Sequence, residues 1–515
     1  MSRTAIVLGV LLLVRENPHL LAQRPTSLTA SSSTHARAIL DRGITAMGGM
    51  NVIQSVDDIH FSFSATIPEI GQSASPDASA YLRPLESEGI FDLANNRFYQ
   101  VRETHYLGSG KRGSAVVTTP TAGFTVDLRA NALYPFGATA LATSKRTNQR
   151  TFPFLQLQAA ASRGSTLRWL GRRAQGHDRE DAITFSESDG SQTTLYFDTA
   201  TGMLTAFEGL SDTFLDGSTT TETRFSDYRR VNGLQVPFHA VTRANGVVRA
   251  DVRYHDIRFN EHPDARHFER PADATLGPEV GGARRPITIT PIAKDVYYVD
   301  AVETGSIFFY SSMFVAFKDY VLVIEAPLND GVSQAIIAKI KETVPGKPIR
   351  YLVPTHYHID HSGGIRGYVA EGSTIVTPRG NLAFLQRLAA IAHPLSPDRL
   401  SLQPRGLSTE VFDTKRVFSD SDHVVELYNL RNSPHADDMV LAYLPRERIV
   451  FVSDLFLVSL VGRLGPAEPL TLFFDQKLRE LNLHVETIVG GHGRMGTMDE
   501  LRRSVSEATG VSTAP

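Results

Sequence analysis

The segment Thr355-His356-Tyr357-His358-Ile359-Asp360-His361-Ser362-Gly363-Gly364, directly after the apolar run IRYLVPT, constrains this chain more than any other feature. In an extended backbone His356 and His358 project to the same side, because strand side chains alternate with period two. They can share one metal ion. Asp360 and His361 fall where the chain must turn, before two glycines and a helix. They are aimed elsewhere and can serve a second ion. Imidazole and carboxylate donors suit Zn²⁺ and also Fe or Mn.

More ligands must come from elsewhere, and three positions downstream offer them. His435 lies between ELYNLRNSP and the strand-like DMVLAYLP. Asp454 ends RIVFVSD, and His492 follows VETIVG within Gly490-Gly491-His492-Gly493. Each stands by the end of a strand-like run, where ligands converge above a sheet. The sequence has no cysteine. That removes disulfides, thiolate zinc sites, iron–sulfur clusters and a cysteine nucleophile together. Any metal site must use His, Asp and Glu. The 52 Lys and Arg stand against 55 Asp and Glu, a net charge of −3. No electrostatic case for a nucleic-acid partner follows, so a small-molecule substrate is expected.

With these residues in this order, residues 287–500 resemble the metallo-β-lactamase-fold hydrolases, whose signature loop is H-x-H-x-D-H. The resemblance implies an α/β fold, an αββα sandwich. It implies that His356, His358 and His435 hold a first metal, that Asp360, His361 and His492 hold a second, and that Asp454 bridges the two. The acid that ends the strand before the first helix is usually Asp in this family. Here it is Glu325, in VLVIEAP, placed to orient a ligand histidine from behind. Two Zn²⁺ per chain are implied, with Fe or Mn possible, and a metal-bridging hydroxide that attacks an ester, thioester, lactone or amide. Asp360 would also relay a proton to the leaving group.

Within that family the β-lactamases with a cysteine ligand are excluded. The remaining dizinc β-lactamases have no acid where Asp454 stands. Lactonases carry a Tyr soon after that acid, but Leu455-Phe456-Leu457-Val458-Ser459 contains none. The basic glutathione-binding residues of glyoxalase II have no clear match. A mononuclear iron oxidoreductase of the same fold, a β-lactamase-like enzyme and a non-catalytic ligand carrier stand as alternatives.

The rest of the chain reads as follows. Arg3 precedes the apolar run Ala5–Val14, which is half the length of about 20 residues needed to span a bilayer and has the pattern of a secretory signal. Residues 1–22 are therefore expected to be an export signal, giving a periplasmic or secreted protein without a membrane span; the alternative is cytoplasmic. Ser/Thr-rich residues 23–33 are expected to be a linker. Ala36, Ile39, Leu40, Ile44 and Met47 have helical spacing, and a long antiparallel meander follows to Pro271. Asp189-Gly190 and Asn232-Gly233 are hairpin signals. Phe197-Asp198-Thr199-Ala200-Thr201-Gly202-Met203-Leu204 and Tyr228-Arg229-Arg230-Val231-Asn232-Gly233-Leu234, with Val236-Pro237, resemble the periplasmic lipoprotein-carrier-like fold, which implies a mainly antiparallel β domain over 34–271. Its role would be to hold an apolar ligand or to cover its neighbour. Gly/Pro-rich residues 272–286 are expected to be a second linker, 287–505 a separable catalytic domain and 506–515 a tail. Gly108-Ser109-Gly110-Lys111-Arg112-Gly113 fits G-x-G-x-x-G, but no helix opens there, so it reads as a loop between strands.

Overall fold

The computed structural model describes residues 28–176, 178–187, 190–213, 215–281, 287–302 and 309–510. The expected export segment 1–22 and the Asp189 turn position lie outside them. Helix Leu28–Ala46 buries Ala36, Ile39, Leu40 and Ile44, the stripe predicted from the spacing. It already holds the first described residue, Leu28, so the expected linker 23–33 is wrong over its last six residues. The reason is a tertiary anchor. Ser32 Oγ donates to the Trp169 carbonyl at 3.1 Å and accepts from the Trp169 amide at 2.9 Å, which ties the serine-rich first turns to a strand.

The N-terminal region is one antiparallel sheet of thirteen strands among the described residues, joined at one edge by a short parallel strand. Its first strand, Asp58–Glu69, pairs with its last long strand, Val247–Phe259, in the middle of the sheet. The Asn232-Gly233 hairpin forms as predicted. Both residues have positive φ, and Val231 pairs with Leu234 across the turn. The predicted unbroken meander is corrected by helices Ala138–Gln149 and Pro153–Ser162, which carry the chain from one edge of the sheet to the other. Pro153 at the first helical turn and the buried Phe152, Phe154, Leu155 and Leu157 fix the second of these against the sheet.

Residues 272–286 are not a free linker over their described part. Thr275–Leu276 pairs with Ala132–Pro135 as the edge strand, and Val280 is buried beside Phe136. The amides of Gly277 and Val280 donate to Leu133 and Pro135, so this stretch belongs to the N-terminal sheet.

Two further sheets follow. One runs Thr288–Ala293, Val296–Val302, Tyr310–Ala316, Val321–Ile324, Ile349–Val353, Thr374–Pro378, Ser408–Phe412, antiparallel at first and then parallel. The other runs from Lys415–Ser419 to Gly496–Thr497. Side chains of both, such as Met313, Leu322 and Val353 with Val440, Ala442 and Phe451, share one apolar cluster. Helix Asp330–Thr343 follows the strand Val321–Ile324. It packs Ile336, Ile337 and Ile340 on the outer side of the first sheet. Helices Pro469–Glu480 and Met498–Thr509 join a cluster with Val450 and Val452 of the second. The last helix continues four residues into the expected 506–515 tail, and a capping box at Thr497 and Glu500 starts it. Among the described residues no helix is long and apolar enough to cross a membrane.

Candidate metal centre

The strand Ile349–Val353 ends just before the H-x-H loop. His356 stands in a bend and His358 caps the short helix that follows, so neither is in extended strand and the alternation argument for their shared direction is corrected. Their ring centroids are nevertheless 4.5 Å apart. Asp360 and His361 lie on the short helix Ile359–Ser362. Asp454 directly follows Ile449–Ser453, and His492 comes two residues after Thr487–Gly490. Gly491 is required there. A Cβ on it would stand 2.9 Å from His361 Cε1 and from Ser453 Oγ.

The structure brings all seven predicted residues together. His358 Nδ1 is 3.0 Å from His435 Nε2, and His361 Nε2 is 3.1 Å from His492 Nε2. Asp454 lies between the two groups. Its Oδ2 is 2.9 Å from His435 Nε2, while Oδ1 is 2.8 Å from His361 Nε2 and 3.2 Å from His492 Nε2. Asp360 Oδ2 is 3.5 Å from His361 Nε2. His356, His358 and His435 form one set that could hold an ion; Asp360, His361 and His492 form another.

The imidazoles are held from behind. Glu325 is fully buried and takes a positive φ of 79°, a strained conformation for a residue with a side chain. Its carboxylate accepts from His361 Nδ1 at 3.0 Å, from the Thr355 amide and hydroxyl, and from Ser453 Oγ at 3.3 Å. That leaves His361 Nε2 facing the cluster. The longer Glu thus reaches a histidine of the cluster, His361.

Two other histidines are held by the N-terminal sheet. His358 Nε2 is 2.8 Å from the Ser73 carbonyl, and His435 Nδ1 is 3.3 Å from the Leu107 carbonyl. Gln72 Nε2 also donates to Asp360 Oδ1 at 3.0 Å. The loop after Asp58–Glu69 and the glycine-rich loop after Arg97–His105 therefore form part of the site. Gly108 at φ 73° lets the second loop come close, since a Cβ there would stand 2.6 Å from the Pro434 carbonyl oxygen. None of Gln72, Ser73 and Leu107 was predicted. Tyr310 was missed as well. Its hydroxyl donates to Asp360 Oδ2 at 3.2 Å, and its ring lies 4.5 Å from that of His492.

Burial, reinforced by neighbouring imidazoles, holds His356 well below the ordinary histidine range and takes His358 down to about 3. For His361 burial acts in the same direction, but the carboxylates of Asp454, Asp360 and Glu325 outweigh it and raise its pKa well above 6.5. Burial alone would raise Asp454, and the imidazoles of His361, His492 and His435 hold it well below the carboxylate range instead. Burial and the Asp360 charge push Tyr310 far up, so its hydroxyl stays protonated. In the first set His356 and His358 are thus neutral imidazoles. The second is set in a field that favours a cation.

Residues 307–492 match the family model of the metallo-beta-lactamase superfamily. The metallo-beta-lactamase fold thus lies in the C-terminal part of the chain, behind a large, mainly β N-terminal region. Similar solved structures include a metallo-beta-lactamase from Pontibacter korlensis, at 21% identity, covering 43% of this chain and 97% of that one with a TM-score of 0.33. The mono-zinc form of the metallo-beta-lactamase FIM-1 from Pseudomonas aeruginosa is 20% identical, covering 45% and 98%, with a TM-score of 0.32. A metal-soaked flavodiiron core from Synechocystis is 15% identical, covering 42% and 59%, with a TM-score of 0.34. No curated protein matches the chain.

Proposed function

We propose that the cluster holds two divalent cations and that the protein is a metal-dependent hydrolase of an ester, thioester, lactone or amide. One observation carries this reading: Asp454 turns one carboxylate oxygen to His435 and the other to His361 and His492. A single carboxylate so placed can serve two ions and set their separation. The donors also fit. His356 Nε2 is buried with no hydrogen-bond partner among the described residues, a costly arrangement for a nitrogen that does not coordinate. His356, His358 and His435 would hold one ion and Asp360, His361 and His492 the other. An all His and Asp donor set suits Zn²⁺, with Fe or Mn as the other choices.

A bound pair of this kind supplies Lewis acidity and a water of lowered pKa. The chain does the positioning. Glu325, Ser73 and Leu107 fix which nitrogen of each ring faces inward. Tyr310 and Gln72 steady Asp360 from its two oxygens. Held in this way, Asp360 is the group placed to take a proton at Oδ2 and return it to a leaving group.

Elemental analysis of purified protein, run with a panel of esters, thioesters, lactones and lactams, tests this reading. Two metals per chain and turnover of at least one ester-like compound are expected. One iron per chain with redox activity would favour the mononuclear alternative. No turnover of any compound by fully metal-loaded protein would remove the hydrolase.

A further inference from the structure

A second feature adjoins the histidine cluster. On the strand Arg97–His105 the side chains of Arg102 and Thr104 share one face, because strand residues alternate. Arg102 pairs in register with Ser114, and Thr104 with Arg112. Together with Arg83 and Tyr106 these residues line a cavity of about 360 Å³.

Its charges are not balanced in place. Arg83 is bonded to Glu69 and to Thr104 Oγ1. Arg112 shares Glu468 with Arg129, at 2.8 Å for the Arg112 pair. Asp127 also lines the cavity, but its Oδ1 accepts from the amides of Arg129 and Ala130. Four arginines thus meet three carboxylates. The surplus falls on Arg102, whose side chain has no ion pair or hydrogen bond among the described residues and whose Nε is buried without a partner. Arg102 is half-buried, and a guanidinium partly withdrawn from water without a counter-charge gains from an anion beside it. Burial, with Arg83 adding to it, lowers the Arg102 pKa, in keeping with a cation short of a counter-charge.

The cavity lies next to the cluster. Tyr106, in its wall, is followed by Leu107, whose carbonyl is 3.3 Å from His435 Nδ1. The guanidinium of Arg83 stands over the Tyr106 ring at 5.0 Å. Tyr106 is also near enough to Tyr310 to add to the upward push on that hydroxyl, and Tyr310 donates to Asp360.

We propose that the cavity is an oxyanion subsite in which Arg102, between Thr104 and Ser114 and beside Arg83, binds a carboxylate or phosphate group. Resting on the hydrolytic reading above, this makes the substrate an anionic molecule whose charged end sits in the N-terminal sheet while its scissile group reaches the histidine cluster. The planar fork of Arg matches either anion in a two-point contact.

The test has a binding arm and a turnover arm, both on the full-length chain. Metal-free protein is titrated calorimetrically with succinate and, separately, with inorganic phosphate. Saturable binding of at least one is expected. It should weaken about 10–100-fold in Arg102→Gln, the scale of one lost charge-assisted contact, and recover in part in Arg102→Lys. With metal-loaded protein, kcat/KM for phenyl hydrogen succinate relative to phenyl acetate should fall by a similar factor in Arg102→Gln, with phenyl acetate itself unaffected. Hydrolysis of neither ester, nor of any compound in the panel above, together with Arg102-dependent anion binding would end the hydrolytic reading and leave the subsite standing. No binding of either anion, or equal binding by wild type and Arg102→Gln, would overturn the subsite.

Discussion

The backbone carbonyl of Ser73 lies 2.8 Å from His358 Nε2. A carbonyl only accepts, so Nε2 carries the proton and Nδ1 keeps its lone pair, which faces His435. One half of the chain therefore sets the tautomer of a histidine in the other. The expected separable catalytic domain, 287–505, would lack that carbonyl, and the Leu107 carbonyl against His435 as well.

The first prediction follows directly. Replacing residues 71–79 by a short Gly-Ser bridge should keep the sheet, since the strand Asp58–Glu69 pairs with Tyr81–Asp92 without that loop. It should weaken metal binding about 10–100-fold, the usual cost of losing an outer partner of a ligand histidine. Competition with a chromophoric chelator measures it. Unchanged affinity in a folded variant would mean that the Ser73 contact orients nothing.

A second prediction concerns acid. His358 has a folded pKa of about 3 against an ordinary value of 6.5, and His356 is displaced in the same direction. Between those values the unfolded chain binds protons that the folded chain does not. The stability from these neutral imidazoles is thus complete above pH about 6.5 and is lost as pH falls toward about 3. His361 does not offset this, because its raised pKa gives a contribution already complete below pH 6.5. For protein kept in chelator, unfolding free energy should fall by on the order of a few kcal/mol from pH 7 to pH 4. Urea titrations across that range check it, and His358→Gln should flatten part of the slope.

The two halves of the chain are also tied by Glu468, at the start of helix Pro469–Glu480, which pairs with Arg112 and Arg129 of the N-terminal sheet. The carboxylate is 14% exposed, which makes this more than a surface pair. Glu468→Gln leaves two arginines without a counter-charge. It should cost about 1–3 kcal/mol in urea unfolding, below the cost of breaking a fully buried pair. Metal content should stay the same. A loss below about 0.3 kcal/mol, the scale of exposed pairs, would show that water already screens the contact.

Much of the site was legible because its chemistry lies in side chains at fixed spacing. The loop from His356 to His361 is contiguous, and His435, Asp454 and His492 each stand by a strand end. Ser73 and Leu107 act through backbone carbonyls, which leave no mark in a sequence. Tyr310 sits in an apolar strand where its hydroxyl looks like one more core residue. Arg102 is one of many arginines, and only the pairing of its neighbours shows it to be unpaired. The helical turns over residues 28–33 escaped for a similar reason. A serine run reads as a linker until Trp169 supplies the partner that holds it. Local pattern carries information about faces and spacing, while contacts between distant strands carry the rest.

The last prediction concerns Asp454. Its two oxygens face different histidine sets, 2.9 Å from His435 and 2.8 Å from His361. Asn keeps the shape but gives up the charge and one good donor oxygen. The three imidazoles that hold Asp454 ionised, those of His361, His492 and His435, would then lose their counter-charge. Asp454→Asn should retain about one metal per chain and lose about 10²-fold or more in kcat, the scale on which a charge-stabilising group matters in an active site. His423→Ala serves as the comparison. His423 is buried against Glu447, with Nδ1 3.0 Å from its carboxylate, and belongs to neither metal-binding set. Its loss should lower thermal stability and leave metal content equal to wild type. Elemental analysis and turnover on both variants, with folding checked by circular dichroism, decide the matter. Two tightly held metals and near-normal turnover in Asp454→Asn would show that the carboxylate does not join the two sets.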